Sequence, residues 1–347
     1  MLISMLPEHS LLQLVPARLP QALQRVRALV WVKQADVADV SATAPSPTHL
    51  SFAAARRRPL RRVAGPHAYG KLWDQRWFRL RLPPAGAARG TRYLRWQDQA
   101  EATLYVDGRP HYGLDVAHRH APLPAGAREV WVETTVCQTA IWHPDATGLD
   151  PAGSRFTGAE LYTRNDLAWQ VLHDLLVLED LLRAEARAAL PNADALFSSI
   201  GTKPALQEVP PLLRRLLRFL DEAMDALDRG GLPAARRALA RAFRELPGYG
   251  APPAAVLTGH AHIDLVWMWP ERVGEFKAVH TFATAERLLA TYPELHFGYS
   301  QPASYAAVGR RAPALMGAVR RRIRQGRWEP VGATEVESDT LIACGEA

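Results

Sequence analysis

The chain has 347 residues, 48% hydrophobic and 22% charged, a balance that excludes a disordered chain and leaves room for two domains with sizeable cores. Its formal charge is +7, yet all but four of the 42 Lys and Arg residues are arginines, spread along the chain with many alanines between. The densest basic runs, "RRRPLRR" at 56–62 and "RRRIRQGR" at 320–327, sit in no nucleic-acid module with interleaved aromatics, so nucleic acid is not an expected partner.

The first residues, "MLISMLPEHSLLQLVPARLP", carry no positive n-region and only a short apolar run before Pro7 and Glu8, which makes a poor signal peptide. No run approaches the roughly 18 apolar residues of a membrane span, so no membrane partner is expected. Cys137 and Cys344 are the only cysteines, without a second thiol at metal or redox spacing. They argue against a disulfide framework or thiolate zinc site and fit a reducing, cytoplasmic location.

From about 70 to 140 the chain reads as strands, with alternation and aromatic enrichment in "KLWDQRWFRLRLP", "TRYLRWQDQAEATLYVDGRPHYGLD" and "REVWVETTV". Asp-Gly in "VDGRP" predicts a hairpin tip at 106–110, because both residues tolerate the positive φ angles of tight turns. Trp73, Trp77, Trp96 and Trp131 on these strands are expected in a core rather than stacked on sugars, since aromatic side chains bury large area. "AHRHAP" at 117–122 reads as a surface loop rather than a metal site.

A helix follows at 165–190, capped by Asn165 or Asp166, then two more at 210–229 and 233–246 that stop at Gly230-Gly231 and Pro247-Gly248. Beyond "GYGAPPA" the texture alternates: strand "AVLTGHAHID", helix 281–291, strand "LHFGYS", helix 312–325 with Leu315, Val319 and Ile323 on one face, strand "WEPVGAT". That rhythm predicts a parallel α/β sheet, in which ligands bind beyond the carboxyl ends of the strands. The division is an N-terminal β-sandwich-like domain at 1–160, a helical connector at 161–250 and the start of an α/β domain at 251–347.

At the end of the first of these strands stand His260, His262 and Asp264. In extended backbone, alternate residues point the same way at ~6.6 Å spacing, so the three converge on one side. Imidazole nitrogen and carboxylate oxygen suit zinc or another divalent metal, though polar residues capping a strand end and the next helix have the same pattern. A second cluster of one parity, Glu335, Glu337 and Asp339, follows the third strand and would reach the same sheet edge.

"GHAHIDLVWMWPE", "TYPELHFGYSQPASY", "GRWEPVGATEVESD" and the final "GE" at 345 and 346 resemble, in order and spacing, the zinc-dependent glycoside hydrolase family 38 α-mannosidases, particularly their cytosolic or vacuolar and bacterial branch. "LYVDGRPHYGLDVAHRHAPLP" also resembles the β-domain that precedes their catalytic domain. The resemblance implies a seven-stranded β/α barrel-like catalytic domain, of which 251–347 would be the N-terminal part. It implies retaining hydrolysis of terminal α-D-mannosyl residues in oligosaccharides. His262 and Asp264 would be zinc ligands, Asp339 both ligand and nucleophile, Trp267 the aromatic under the sugar, and His260 a support for the ligands. Glu335, "LIAC" at 341–344 and "HTF" at 280–282 stand where the family has Trp, an Asn-Leu-Pro-Ser-like stretch and "RTF". Family members continue well past the position of Ala347, through the general acid and the last zinc-ligating histidine. The chain is therefore expected to be a truncated N-terminal fragment, inactive unless the C-terminal portion is supplied, with homo-oligomerisation as another form of partnership.

Two further classes compete: a metal-dependent amidohydrolase with His-x-His after its first strand, and a non-catalytic carbohydrate-binding or vestigial fragment. The amidohydrolase reading needs a later lysine or histidine set, and Lys277 is the only lysine after Asp264.

Overall fold

The computed structural model describes residues 8–84, 90–137, 153–198, 203–204, 208–246, 257–332 and 335. They fall into two compact units, one taking in the described residues of Met1–Val32 and Arg164–Pro253, the other those of Lys33–Thr163 and Ala254–Ala347.

The first unit is helical. Helix Asp166–Ala189 starts at the cap its sequence announces, the Asn165 side chain accepting the Ala168 N–H at 3.1 Å. Pro211–Glu245 is two helices meeting at Gly231, whose φ of 64° and ψ of −163° suit glycine alone, with Pro233 just beyond. Helix Glu8–Val30 is absent from the sequence reading because it contains Pro16 and Pro20, residues that ordinarily interrupt a helix interior. Its Leu11, Leu12, Val15, Leu19 and Val26 share one apolar cluster with Leu175, Leu178, Leu182 and Leu216. Residues 8–30 therefore belong with the helical segment, although they lie inside the range assigned above to the β-domain.

Strands Trp31–Asp36, Gly158–Arg164, Arg92–Gln97 and His120–Pro122, in the second unit apart from Trp31, Val32 and Arg164, form one sheet in that order. Arg61–Arg62, Asp39–Ala42, Gln75–Arg81, Glu129–Thr135, Glu101–Val106 and Arg109–Leu114 form a second. Leu94, Trp96 and Leu161 of the first and Phe78, Leu80, Leu104 and Val132 of the second share one buried cluster, as in a sandwich. The hairpin turns at Asp107 and Gly108, both with positive φ, 48° and 72°. Trp77, Trp96 and Trp131 are buried in cores, whereas Trp73 is only partly buried, packed against Cys137, Trp269 and Val273. His118 is in a turn beside Asp115, whereas His120 is not on a loop: it lies on a strand, its ring edge-on to Tyr162 at 5.5 Å.

The α/β part has the parallel sheet expected: Gly259–His260, Phe297–Tyr299 and Trp328–Pro330, neighbours in that order. Helix Glu271–Thr291 begins earlier than the 281–291 read from sequence because Pro270 sets its start. Pro302–Arg311, which the sequence reading lacks, is a short helix rich in small residues. Helix Pro313–Arg324 buries Leu315 and Val319, with Ile323 partly buried, against Phe282, Phe297, Tyr299 and Trp328.

Within this unit helix Glu271–Thr291 packs on the sandwich strand Arg109–Leu114. Gly113 has no room for a Cβ, which would run into His280 and Thr284, and its N–H donates to Thr284 Oγ1 at 2.9 Å. Lys277 Nζ reaches Glu101 Oε1 at 2.6 Å, and Arg287 Nη2 donates to His111 Nδ1 at 2.8 Å. The sandwich thus holds the helix that follows the candidate site loop. No helix among the described residues is long and apolar enough to cross a membrane.

Candidate functional site

The strand Gly259–His260 pairs in parallel with Phe297 and Gly298 and then ends, so residues 261–270 form the loop at its carboxyl edge. His260 Nδ1 lies 3.0 Å from the Gly298 carbonyl, so Nδ1 carries a proton and donates it across the two strands. His262 Nε2 and Asp264 Oδ1 come within 3.2 Å of each other, their side chains 49% and 48% exposed. Trp267 is 53% exposed, edge-on to Trp269 with ring centroids 5.2 Å apart.

What fixes this loop lies outside the motif residues singled out from sequence. Trp269 is buried, its Nε1 donates to the Asp264 carbonyl at 2.8 Å, and Lys277 Nζ stands 4.3 Å over its ring. It shares a small core with Val273 and Cys137, which tethers the loop to both the helix and the sandwich. A Cβ on Gly274 would collide with the Leu265 carbonyl, so glycine lets the helix approach the loop backbone. The signal available in the sequence was the second tryptophan of "WMWPE" and the glycine in the first turns of the helix.

Gly274→Ala is expected to push the loop off the helix at a cost of about 1–3 kcal/mol, the usual range for overpacking against an unyielding neighbour. Urea denaturation checks it, and a midpoint equal to wild type would refute the close-packing account. Two pronounced clefts occur elsewhere in this unit, and neither includes His262 or Asp264.

Among the described residues no three His, Cys, Asp or Glu side chains gather as a metal cluster. Asp339 and Glu337 lie outside the described residues. Glu335 is at the same sheet edge, its carbonyl accepting the Ala303 N–H at 3.2 Å. Two donors of the expected set are thus side by side.

Comparison with known proteins gives a consistent result. Residues 253–347 match the family described as the glycosyl hydrolases family 38 N-terminal domain. Over 316 residues, 87% of the chain, it is 27% identical to alpha-mannosidase 2C1 of Homo sapiens, spanning 28% of that protein. Alpha-mannosidase G of Dictyostelium discoideum is 32% identical over 89 residues, 26% of this chain and 8% of that protein. The alpha-mannosidase of Saccharomyces cerevisiae is 32% identical over 90 residues, again 26% and 8%. The chain therefore spans between a quarter and a third of the human relative, and the resemblance read from its motifs holds for a family 38 α-mannosidase N-terminal region.

Proposed function

We propose, for a chain that carries this family 38 N-terminal region, that it supplies part of the active site of a zinc-dependent retaining α-mannosidase acting on mannose-containing glycans. The observation that carries the reading is the pair His262 Nε2 and Asp264 Oδ1, 3.2 Å apart and half-exposed at the carboxyl edge of a parallel strand. Two ligands at zinc–ligand distances of about 2.0–2.1 Å, tetrahedrally disposed, stand ~3.3 Å from each other, so the donor types and spacing fit the metal. The same separation serves a hydrogen bond when the ring carries its proton on Nε2.

Zinc bound here would draw the sugar hydroxyls into place and favour the ionised nucleophile electrostatically. The remaining work belongs to the chain. In a retaining scheme Asp339 attacks the anomeric carbon and the glycosidic oxygen leaves with a proton from a second carboxyl group. His260, tied to Gly298, holds the strand end from which His262 projects. Trp267 offers an exposed aromatic face to the sugar. We place the chain in the cytoplasm on this reading and expect it to be inactive by itself.

Zinc titration by calorimetry tests the site without requiring turnover. Saturable binding weakened at least tenfold by His262→Ala and by Asp264→Ala, about 1.4 kcal/mol or more, is expected. Equal affinity in all three proteins would remove the metal assignment. Incubation with an aryl α-mannoside and zinc should give no hydrolysis. Turnover abolished in Asp339→Asn would show the chain to be active alone.

A further inference from the structure

A second site is built into the sandwich, from residues unconnected with the His262–Asp264 pair. The strands Asp39–Ala42, Arg61–Arg62 and His67–Tyr69 border a cleft of about 700 Å³, within the size range of small-molecule sites. Arg58, Arg61, Arg62 and Arg76 line it, and no acidic side chain does among its described lining residues. Arg58, Arg61 and Arg62 are exposed and make no ion pair among the described residues.

Arg76 differs from these three. It is only 6% exposed, and its guanidinium carbon is held 5.0 Å from the Tyr69 ring centroid and 5.1 Å from that of Phe78. Its Nε donates to the Thr43 carbonyl at 2.9 Å, while Nη1 is buried with no hydrogen-bond partner among the described residues. Asp98 is the acidic group that acts on it, but no ion pair joins them. Asp98 already accepts hydrogen bonds from the Tyr69 hydroxyl and, at 2.5 Å, from Ser154. Burial raises the Asp98 pKa, which weakens it further as a counter-charge. An oriented guanidinium that lines a cleft rimmed by three arginines unpaired among the described residues matches an oxyanion with several acceptor oxygens.

We propose that this cleft binds a phosphate group carried on a small organic molecule, with Arg76 as the buried anchor and Arg58, Arg61 and Arg62 as the rim. Ala42, Pro45, Pro59 and Val63 give the cleft apolar walls against which the organic body packs. Its volume is many times the ~30 Å³ of one water, far more than a bare anion fills. A single-stranded nucleic acid would need a run of exposed aromatic platforms, whereas the described lining residues offer only the partly buried His67 and Tyr69, which is buried beneath Arg76.

The experiment is calorimetric titration of the whole chain at low salt with inorganic phosphate, a hexose 6-phosphate and the unphosphorylated hexose. The hexose 6-phosphate should bind saturably and more tightly than phosphate, and binding should weaken as salt is added. The paired variant Arg61→Gln and Arg62→Gln should lose at least tenfold in affinity with an unchanged circular dichroism spectrum and melting point. Arg76→Lys, which keeps the charge and loses the planar fork, should lose at least as much. If that buried substitution unfolds the chain, the rim variant decides alone. Phosphate binding as tightly as the hexose phosphate would assign the site to the free anion and overturn the organic ligand. Equal binding of the unphosphorylated hexose, an unaffected rim variant, no saturable binding of either phosphate, or binding confined to an RNA oligonucleotide would each overturn the proposal.

Discussion

Arg311→Ala should destabilise the second unit by about 2–4 kcal/mol at pH 8, and by less at pH 5. Glu133 is 1% exposed in the middle of a sandwich strand, and Arg311, at the end of helix Pro302–Arg311, pairs with it at 3.2 Å. Breaking a buried pair typically costs 3–5 kcal/mol, because the abandoned charge stays desolvated. Here Glu133 still accepts from Gln75 at 2.5 Å and from Tyr105 at 2.8 Å, which reduces the loss.

The pH dependence follows from the same burial. Desolvation raises the Glu133 pKa and Arg311 opposes that rise. Between the ordinary carboxylate range and the raised value, the folded chain holds more protons than the unfolded one, so stability falls as pH rises. Without Arg311 the folded-state pKa climbs further and the fall extends to higher pH. Urea melts of wild type, Arg311→Ala and the double variant with Glu133→Gln would test this. The double variant should recover part of the loss at pH 8. A cost for Arg311→Ala that is the same at pH 5 and pH 8 would contradict the argument.

That pair also shows where sequence reading stops. Glu133 and Arg311 are 178 residues apart, and nothing local to either announces the other. Features decided within a few residues were legible: the Asp107-Gly108 turn, the Asn165 cap and the break at Gly231 all follow from what those side chains permit the backbone to do. The stripe Leu315, Val319 and Ile323 was legible because helical period and burial agree there. Helix Glu8–Val30 was hidden for the opposite reason. Its two prolines argue against a helix locally, and the apolar packing of Val15 and Val26 outweighs them only in the folded unit.

For the candidate site, alternation along an extended segment brought attention to His260, His262 and Asp264, but the strand stops at His260. The 3.2 Å approach of His262 to Asp264 is a property of the loop, not of strand parity. Parity could not reveal that His260 bonds Gly298 of the next strand, or that Trp269 and Gly274 set the loop's position. Those contacts depend on the neighbouring strand and helix, which a single-segment pattern does not contain.

Acidification from pH 7 to about pH 4.5 should cost the chain several kcal/mol, with His49 and His111 two of the contributors beside the similarly shifted His120. Burial is the main cause that lowers each of them to about 4, with Arg287 a further cause at His111 and Arg311 at His49. The geometry requires neutral rings at both positions. His49 donates through Nε2 to the Trp73 carbonyl at 3.1 Å, which leaves a buried Nδ1 without a hydrogen-bond partner among the described residues. His111 donates through Nε2 to the Pro122 carbonyl at 3.0 Å, and its Nδ1 accepts from Arg287 at 2.8 Å. A second proton would leave one buried N–H with no acceptor among the described residues and set the other against a guanidinium.

Because these folded-state values lie below the unfolded value near 6.5, the unfolded chain binds more protons in the interval between. Their stabilisation is complete above about pH 6.5 and is lost as pH falls towards 4. Partial solvent access reduces each contribution to about 2–3 kcal/mol, still a large share of the 5–15 kcal/mol that holds a typical domain folded. His118 acts in the other direction, its pKa raised by the Asp115 hydrogen bond, but its side chain is 76% exposed and the offset is small. Urea midpoints measured from pH 7.5 to 4.5 should drop steeply below 6.5, and His111→Gln and His49→Gln should each flatten that slope whatever they do to stability at neutral pH. A wild-type midpoint that holds level to pH 4.5, or a slope that neither substitution changes, would mean that these imidazoles are more accessible to protons and water than their packing against Arg287 and Trp73 indicates.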